Sequence, residues 1–243
     1  MTMVRCLLAC ALASCCAWPA GAQIAADNVL PPVEIRSKKN PGNVPYAAAY
    51  KLQQRVMALL PPEPRVIDMR FRVVFASLSL QERDDFMPAN WGVAVVGKTV
   101  DATIPMARGG YFLLPDLPVA RSENAALMFN TQTEAKYLGS AWSLRVREGN
   151  LLPYRDFAKA IDEINSAKGN VGRNDWQLAE FRAMTFKGLR ACFANAEGAV
   201  LLNGAASGAV ARGRCWHLKF DAAMANADAS LAFIGELESL TLD

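Results

Sequence analysis

Three acidic side chains in Leu80-Gln-Glu-Arg-Asp-Asp-Phe86 are the first candidates for chemistry in this chain. Glu82, Asp84 and Asp85 could supply the two carboxylates of glycosidase-type acid–base catalysis, which has no fixed sequence spacing. Asp162-Glu163 offers a second acidic pair. Arg83 interrupts the first cluster and the second lies on the polar side of an amphipathic segment, so both read first as solvated surface. Nucleophilic hydrolysis needs a nucleophile, a base and an orienting group. The chain holds one histidine, His217, set between Trp216 and Leu218 in a strand-like run. Gly139-Ser-Ala-Trp-Ser143 approaches a nucleophile elbow but lacks its second glycine. One histidine is also too few for the common zinc sites. No phosphate loop, dinucleotide fingerprint or calcium loop occurs, and the expectation is no cofactor and no metal.

The start of the chain bears on the cysteines. Met1–Arg5 is short and positive, Cys6–Ala13 is apolar, Pro19 breaks the run, and Ala20-Gly21-Ala22 supplies small residues before Gln23. Residues 1–22 therefore read as an export signal, leaving a periplasmic or secreted protein. The alternative is a lipoprotein box, Leu12-Ala-Ser-Cys15, with Cys15 as a lipid anchor. The apolar run is far short of the roughly 20 residues needed to span a bilayer.

Of six cysteines, Cys6, Cys10, Cys15 and Cys16 fall within the signal. Cys192 and Cys215 remain, and in an exported protein their default is to pair. Closing that loop contributes roughly 3 kcal/mol in the chain-entropy model. Without Arg5 the 26 basic side chains become 25, against 23 acidic. So small an excess gives no electrostatic footprint for nucleic acid.

Residues 23–64 divide into a proline-rich linker and an amphipathic helix. Tyr46, Ala49, Tyr50, Val56, Met57 and Leu60 share a helical face, and Pro61-Pro-Glu-Pro64 ends it. The period then falls to two. Ile67, Met69, Phe71, Val73 and Phe75 alternate with Asp68, Arg70 and Arg72. Trp91–Val96, Val100–Ile104, Tyr111–Leu114, Ala125–Phe129 and Ala141–Val146 continue the series with turn residues between them. Six such segments predict an antiparallel β-sandwich over residues 65–148.

Within it, Gly110-Tyr-Phe-Leu-Leu-Pro-Asp-Leu-Pro118 resembles the glycine–aromatic–Leu-Pro segment of transthyretin-like sandwiches, the carboxypeptidase regulatory-like domains. Val96–Val100 resembles the family's earlier strand, whereas Val119–Asn124 stands where its Gly-x-Tyr strand would follow. The resemblance implies a non-catalytic accessory module and transfers no functional residue.

Residues 149–243 predict a smaller α+β unit stapled by the cysteines. Tyr154, Phe157, Ala158, Ile161 and Ile164 form a helical apolar face that Gly169 would cap. Strand-like runs follow at 186–193, 199–202, 214–220 and 230–242. In the third, Trp216, Leu218 and Phe220 would face inward, putting Cys215, His217 and the disulfide on the solvent side. Gly204–Gly213 would be a flexible loop.

Most heavy aromatics fit inward strand positions. Trp176 does not. It follows Gly169-Asn-Val-Gly172 in a loop-like stretch and is the candidate contact for a partner. The expected function is an exported, non-catalytic protein that binds another envelope or surface component. An envelope glycan or peptide hydrolase using carboxylates, and an apolar-ligand carrier, are the alternatives.

Overall fold

A computed structural model describes residues 43–75, 77–87, 92–129 and 136–243, all within one compact unit. The expected export signal, Cys15, residues 23–42 of the expected linker and Trp91 lie outside the described residues. No described helix is long and apolar enough to cross a membrane.

Strand β1 (Val44–Pro45) leads into helix α1 (Tyr46–Met57), and β2 (Ile67–Phe75) is followed by the short helix α2 (Leu80–Asp85). The hairpin β3 (Val93–Val96) and β4 (Asp101–Ile104) precedes β5 (Tyr111–Phe112), α3 (Pro118–Ser122), β6 (Ala126–Phe129) and β7 (Lys136–Leu144). Next come β8 (Leu151–Pro153), α4 (Tyr154–Gly169), α5 (Ala179–Ala183), β9 (Gly188–Phe193) and β10 (Ala199–Leu202). The chain ends with β11 (Ala205–Ala206), β12 (Val210–Arg212), β13 (Cys215–Lys219), β14 (Ser230–Ile234) and β15 (Leu237–Leu242). The predicted loop at 204–213 thus carries two short strands. Gly169 closes α4 from within, and Asn170 takes the cap.

The fold is mainly β, as the alternation predicts. Three antiparallel sheets form: β1-β6-β3-β4, β11-β10-β14-β8, and a seven-stranded sheet β12-β13-β9-β15-β7-β2-β5. The segments 65–148 and 149–243 share the large sheet. Its halves meet where the last strand, β15, enters between β9 and β7 through the pair Thr241–Ser143.

Alternation gives the large sheet two unlike faces. One carries Ile67, Met69 and Phe71, with Trp142 and Leu144 from β7, and Leu189, Ala191 and Phe193 from β9; all are buried. Helices and the smaller sheets cover it. Phe181 of α5 packs on Trp142 at 5.2 Å between ring centres, and Phe157 of α4 packs on Phe220 at 5.3 Å. Phe112 of β5 meets Phe129 of β6 edge-on at 6.2 Å, which seats the β1-β6-β3-β4 sheet against the large one. Gly198 lies so close to Phe193 that an added Cβ would fall 2.1 Å from the ring. No other residue fits there without moving that core side chain.

The other face is polar: Asp68, Arg70 and Arg72 from β2, Ser143 from β7, Arg190 and Cys192 from β9, and Cys215 and His217 from β13. At its outer end Arg145 binds Asp68 through two hydrogen bonds of 2.6 Å and Glu63 through bonds of 2.9 and 3.0 Å. Hydrogen bonding from the Arg145 side chain, then from the Arg65 backbone, lowers the Glu63 pKa from 4.5 to about 2. A depressed carboxylate pKa contributes stability that is fully present above the unfolded value and disappears as pH falls through the folded one. The stability difference between the natural protein and Glu63→Gln is therefore expected to be constant above about pH 5 and to shrink steadily from there towards pH 2. Urea melts at pH 6 and pH 2.5 measure it, and a gap unchanged between them would refute the coupling.

Candidate functional site

The polar face is roofed by α2, and the reason is electrostatic. Ser79 begins the helix with a capping box, its Oγ accepting from the Glu82 N–H at 3.3 Å while Glu82 accepts from the Ser79 N–H at 2.8 Å. Hydrogen bonding to the Glu82 carboxyl from the Ser79 side chain, then from its backbone, holds it below its ordinary pKa. One turn on, Asp84 points down onto the sheet and is 4 % exposed. It accepts from Arg72 at 2.6 Å and from Arg190 at 3.3 Å, with a closest Arg190 approach of 3.1 Å. Arg190 also donates to the Tyr111 hydroxyl at 2.7 Å. Burial opposes the Arg190 charge, but the attraction of Tyr111 and Asp84 outweighs it and its pKa is raised.

Arg72 donates to the Gly109 carbonyl at 2.8 Å, and the Gly109 N–H returns the chain to the Phe86 carbonyl at 3.0 Å. Gly109 has φ +77°, a backbone region that glycine enters without strain. Asp85 accepts from Arg214 at 2.8 Å, and Arg214 also binds Glu238 at 2.6 Å and the Asp84 carbonyl. The network clamps α2 and the turn at 108–110 onto β2, β9 and β13.

This arrangement corrects the solvated reading for Asp84, which is buried, whereas Glu82 and Asp85 are exposed as expected. Only Glu82 and Asp85 stay near solvent, and each has a structural partner. Asp84 lies between the Arg72 and Arg190 guanidiniums, Asp85 meets Arg214 and Glu82 closes the capping box, so all three help to anchor α2.

Cys192 and Cys215 are disulfide-bonded and sit directly opposite in the β9–β13 register. They lie on the face expected, yet each is only 1 % exposed, because α2 covers them. The Asp84 carboxylate and both sulfurs fall within 4.8 Å of one another. Sulfurs joined to each other are not thiolates, and the Asp84 oxygens are taken by arginine, so the cluster offers no ligand set. His217 lies nearer the sheet edge, its Nδ1 2.6 Å from Asp243.

Trp176 belongs to the opposite side of the sheet. It opens a 3-10 turn, Trp176–Leu178, that precedes α5, and at 80 % exposure it is the most exposed large apolar side chain among the described residues. The turn itself is fixed. Asp175 caps it by accepting from the Leu178 N–H at 3.3 Å, and Arg55 of α1 binds Asp175 at 2.5 Å and also Gln177. Arg182 donates to the carbonyls of Gly172 and Arg173 at 2.8 and 2.9 Å. Leu178 and Phe181 are buried beneath. Below the turn, a cleft lined by Leu52, Val56, Met69, Phe181 and Met184 encloses about 60 Å³. That is well under the roughly 300 Å³ at which drug-sized ligand pockets begin.

The sequence reading finds Trp176, the cysteines and the carboxylates but misses Arg55, Arg72, Arg190 and Arg214, which position them. Arg72 stands among the polar alternants of β2, which the pattern assigns to the side away from the apolar face. Ser79-Leu-Gln-Glu82 has the capping-box pattern and is the signal that would have placed a helix over that face.

Searches of protein-family models, curated proteins and solved structures find no match to this chain.

Proposed function

We propose that this is an exported, non-catalytic binding protein, periplasmic or secreted, that engages another envelope or surface component through the Trp176 turn. The observation that carries this reading is a tryptophan held outward on a turn fixed by Asp175, Arg55 and Arg182. A large aromatic on a rigid base loses little conformational entropy when a partner buries it, and tryptophan is enriched among residues that dominate interface energy. The disulfide fits an oxidising compartment. The non-catalytic part of the reading draws support from the engagement of Glu82, Asp84 and Asp85 in helix anchoring.

Trp176→Ala is expected to leave folding stability within about 0.5 kcal/mol, since the side chain packs on little. It is expected to weaken capture of the envelope partner by about tenfold or more, the loss typical of an interface hot spot. Quantitative co-purification from an envelope extract, with urea melts of both proteins, makes the comparison. Equal recovery by two equally stable proteins would count against the turn as the contact. Turnover of an envelope glycan or peptide by the purified chain would remove the non-catalytic reading.

A further inference from the structure

The carboxylates around the polar sheet face are matched by arginines, and one guanidinium is left over. Asp68 is held by Arg145, Asp84 by Arg72 and Arg190, Asp85 by Arg214, and Glu238 by Arg214 at 2.6 Å and Arg108 at 3.3 Å. Arg70, between Asp68 and Arg72 on β2, has no ion-pair partner among the described residues. Its Nε is shielded from solvent and makes no hydrogen bond. The residue is half-buried, and a guanidinium with no carboxylate partner keeps donors free for an incoming anion.

Arg70 lines a pocket of about 180 Å³ on this face. Ser143 and Ser239 add hydroxyl donors, and Val146 and Leu237 add apolar surface. Thr241, opposite Ser143 in register and 1 % exposed, also has an Oγ1 without a partner. Glu238 lines the pocket as well, but its charge is offset by two arginines. The volume is below that of drug-sized ligand pockets, which points to a small ligand.

We infer that this pocket binds a small carboxylate carrying a short apolar group, such as the C-terminal residue of a peptide, with the carboxylate on Arg70 and the apolar group against Val146 and Leu237. Arginine's planar fork matches a carboxylate through two parallel hydrogen bonds, and the serine hydroxyls can donate to the same oxygens. The pocket lies on the opposite face of the β2–β7 pair from the Trp176 turn. It stands independently of the partner-binding reading, and its failure would leave that reading untouched.

Isothermal titration of the exported, disulfide-intact protein tests it, with N-acetyl-valine, N-acetyl-valinamide and inorganic phosphate as probes. The acid is expected to bind saturably, and the neutral amide about tenfold or more weaker, as for loss of a charged hydrogen-bond pair. Arg70→Gln is expected to weaken the acid by a similar factor. Arg70→Lys, which keeps the charge and stem but not the fork, should fall between, and it serves as the readout if Arg70→Gln does not fold. Equal affinity for acid and amide, no saturable binding, or undiminished binding in the arginine variants would overturn the site. Tighter binding of phosphate than of the acid would overturn its assignment to carboxylates.

Discussion

Asp84→Ala is expected to destabilise the protein by about 3–5 kcal/mol, the range for breaking a buried ion pair by removing one partner. The size follows from what remains. Arg72 and Arg190 are 8 % and 6 % exposed, and both would stay buried beside each other without the carboxylate that separates them. Two like charges in a poorly solvated site repel strongly. The α2 roof would lose its central tie to the sheet, while the contacts of Arg214 with Asp85 and with the Asp84 carbonyl would remain. Asp84→Asn keeps an acceptor oxygen but no charge, so its loss should be smaller. Denaturant melts at neutral pH decide the matter. An Asp84→Ala loss below about 1 kcal/mol, as for an ordinary exposed ion pair, would mean that α2 is not held through Asp84.

Removing the disulfide with the pair Cys192→Ala and Cys215→Ala should cost roughly 3 kcal/mol, chiefly by freeing the unfolded chain. For a protein of this size that corresponds to a fall in Tm of about 6–12 °C. Because both sulfurs are buried beneath α2, a small thiol can reach the bond only when that roof opens. Asp84→Ala is therefore expected to speed reduction of the folded protein as well as to destabilise it. Thiol titration against time in native buffer measures this. Equal reduction rates for the natural protein and Asp84→Ala would show that the bond is reached by a route that does not involve α2.

Much of this architecture is local and legible. Alternation in Ile67–Phe75 fixes β2 and its two faces, because side chains leave a strand on opposite sides regardless of what pairs with it. The helical face of Tyr46, Ala49 and Val56 fixes α1, and Pro61 and Pro62 end it, since proline restricts its own backbone and that of its neighbour. Trp176 stands out in sequence because nothing periodic surrounds it, and it is exposed. The pairing of Cys192 with Cys215 is likewise the default once residues 1–22 are read as an export signal.

What covers each face is a different kind of fact. A polar strand face looks the same in sequence whether water or a charged helix lies over it, so Arg72 reads only as a polar alternant of β2 and Asp84 reads as solvated. Only the approach of α2, from more than a hundred residues away along the chain from β9 and β13, turns them into a buried network and hides the disulfide. The entry of β15 between β9 and β7, which joins the two segments into one sheet, is also invisible locally. Its alternation permits a strand but not a neighbour, because partner choice rests on hydrogen bonds and side-chain fit between distant parts of the chain. The identities of the charged residues were written in the sequence; which charge meets which, and that Arg70 is left without an ion-pair partner among the described residues, the tertiary structure decided.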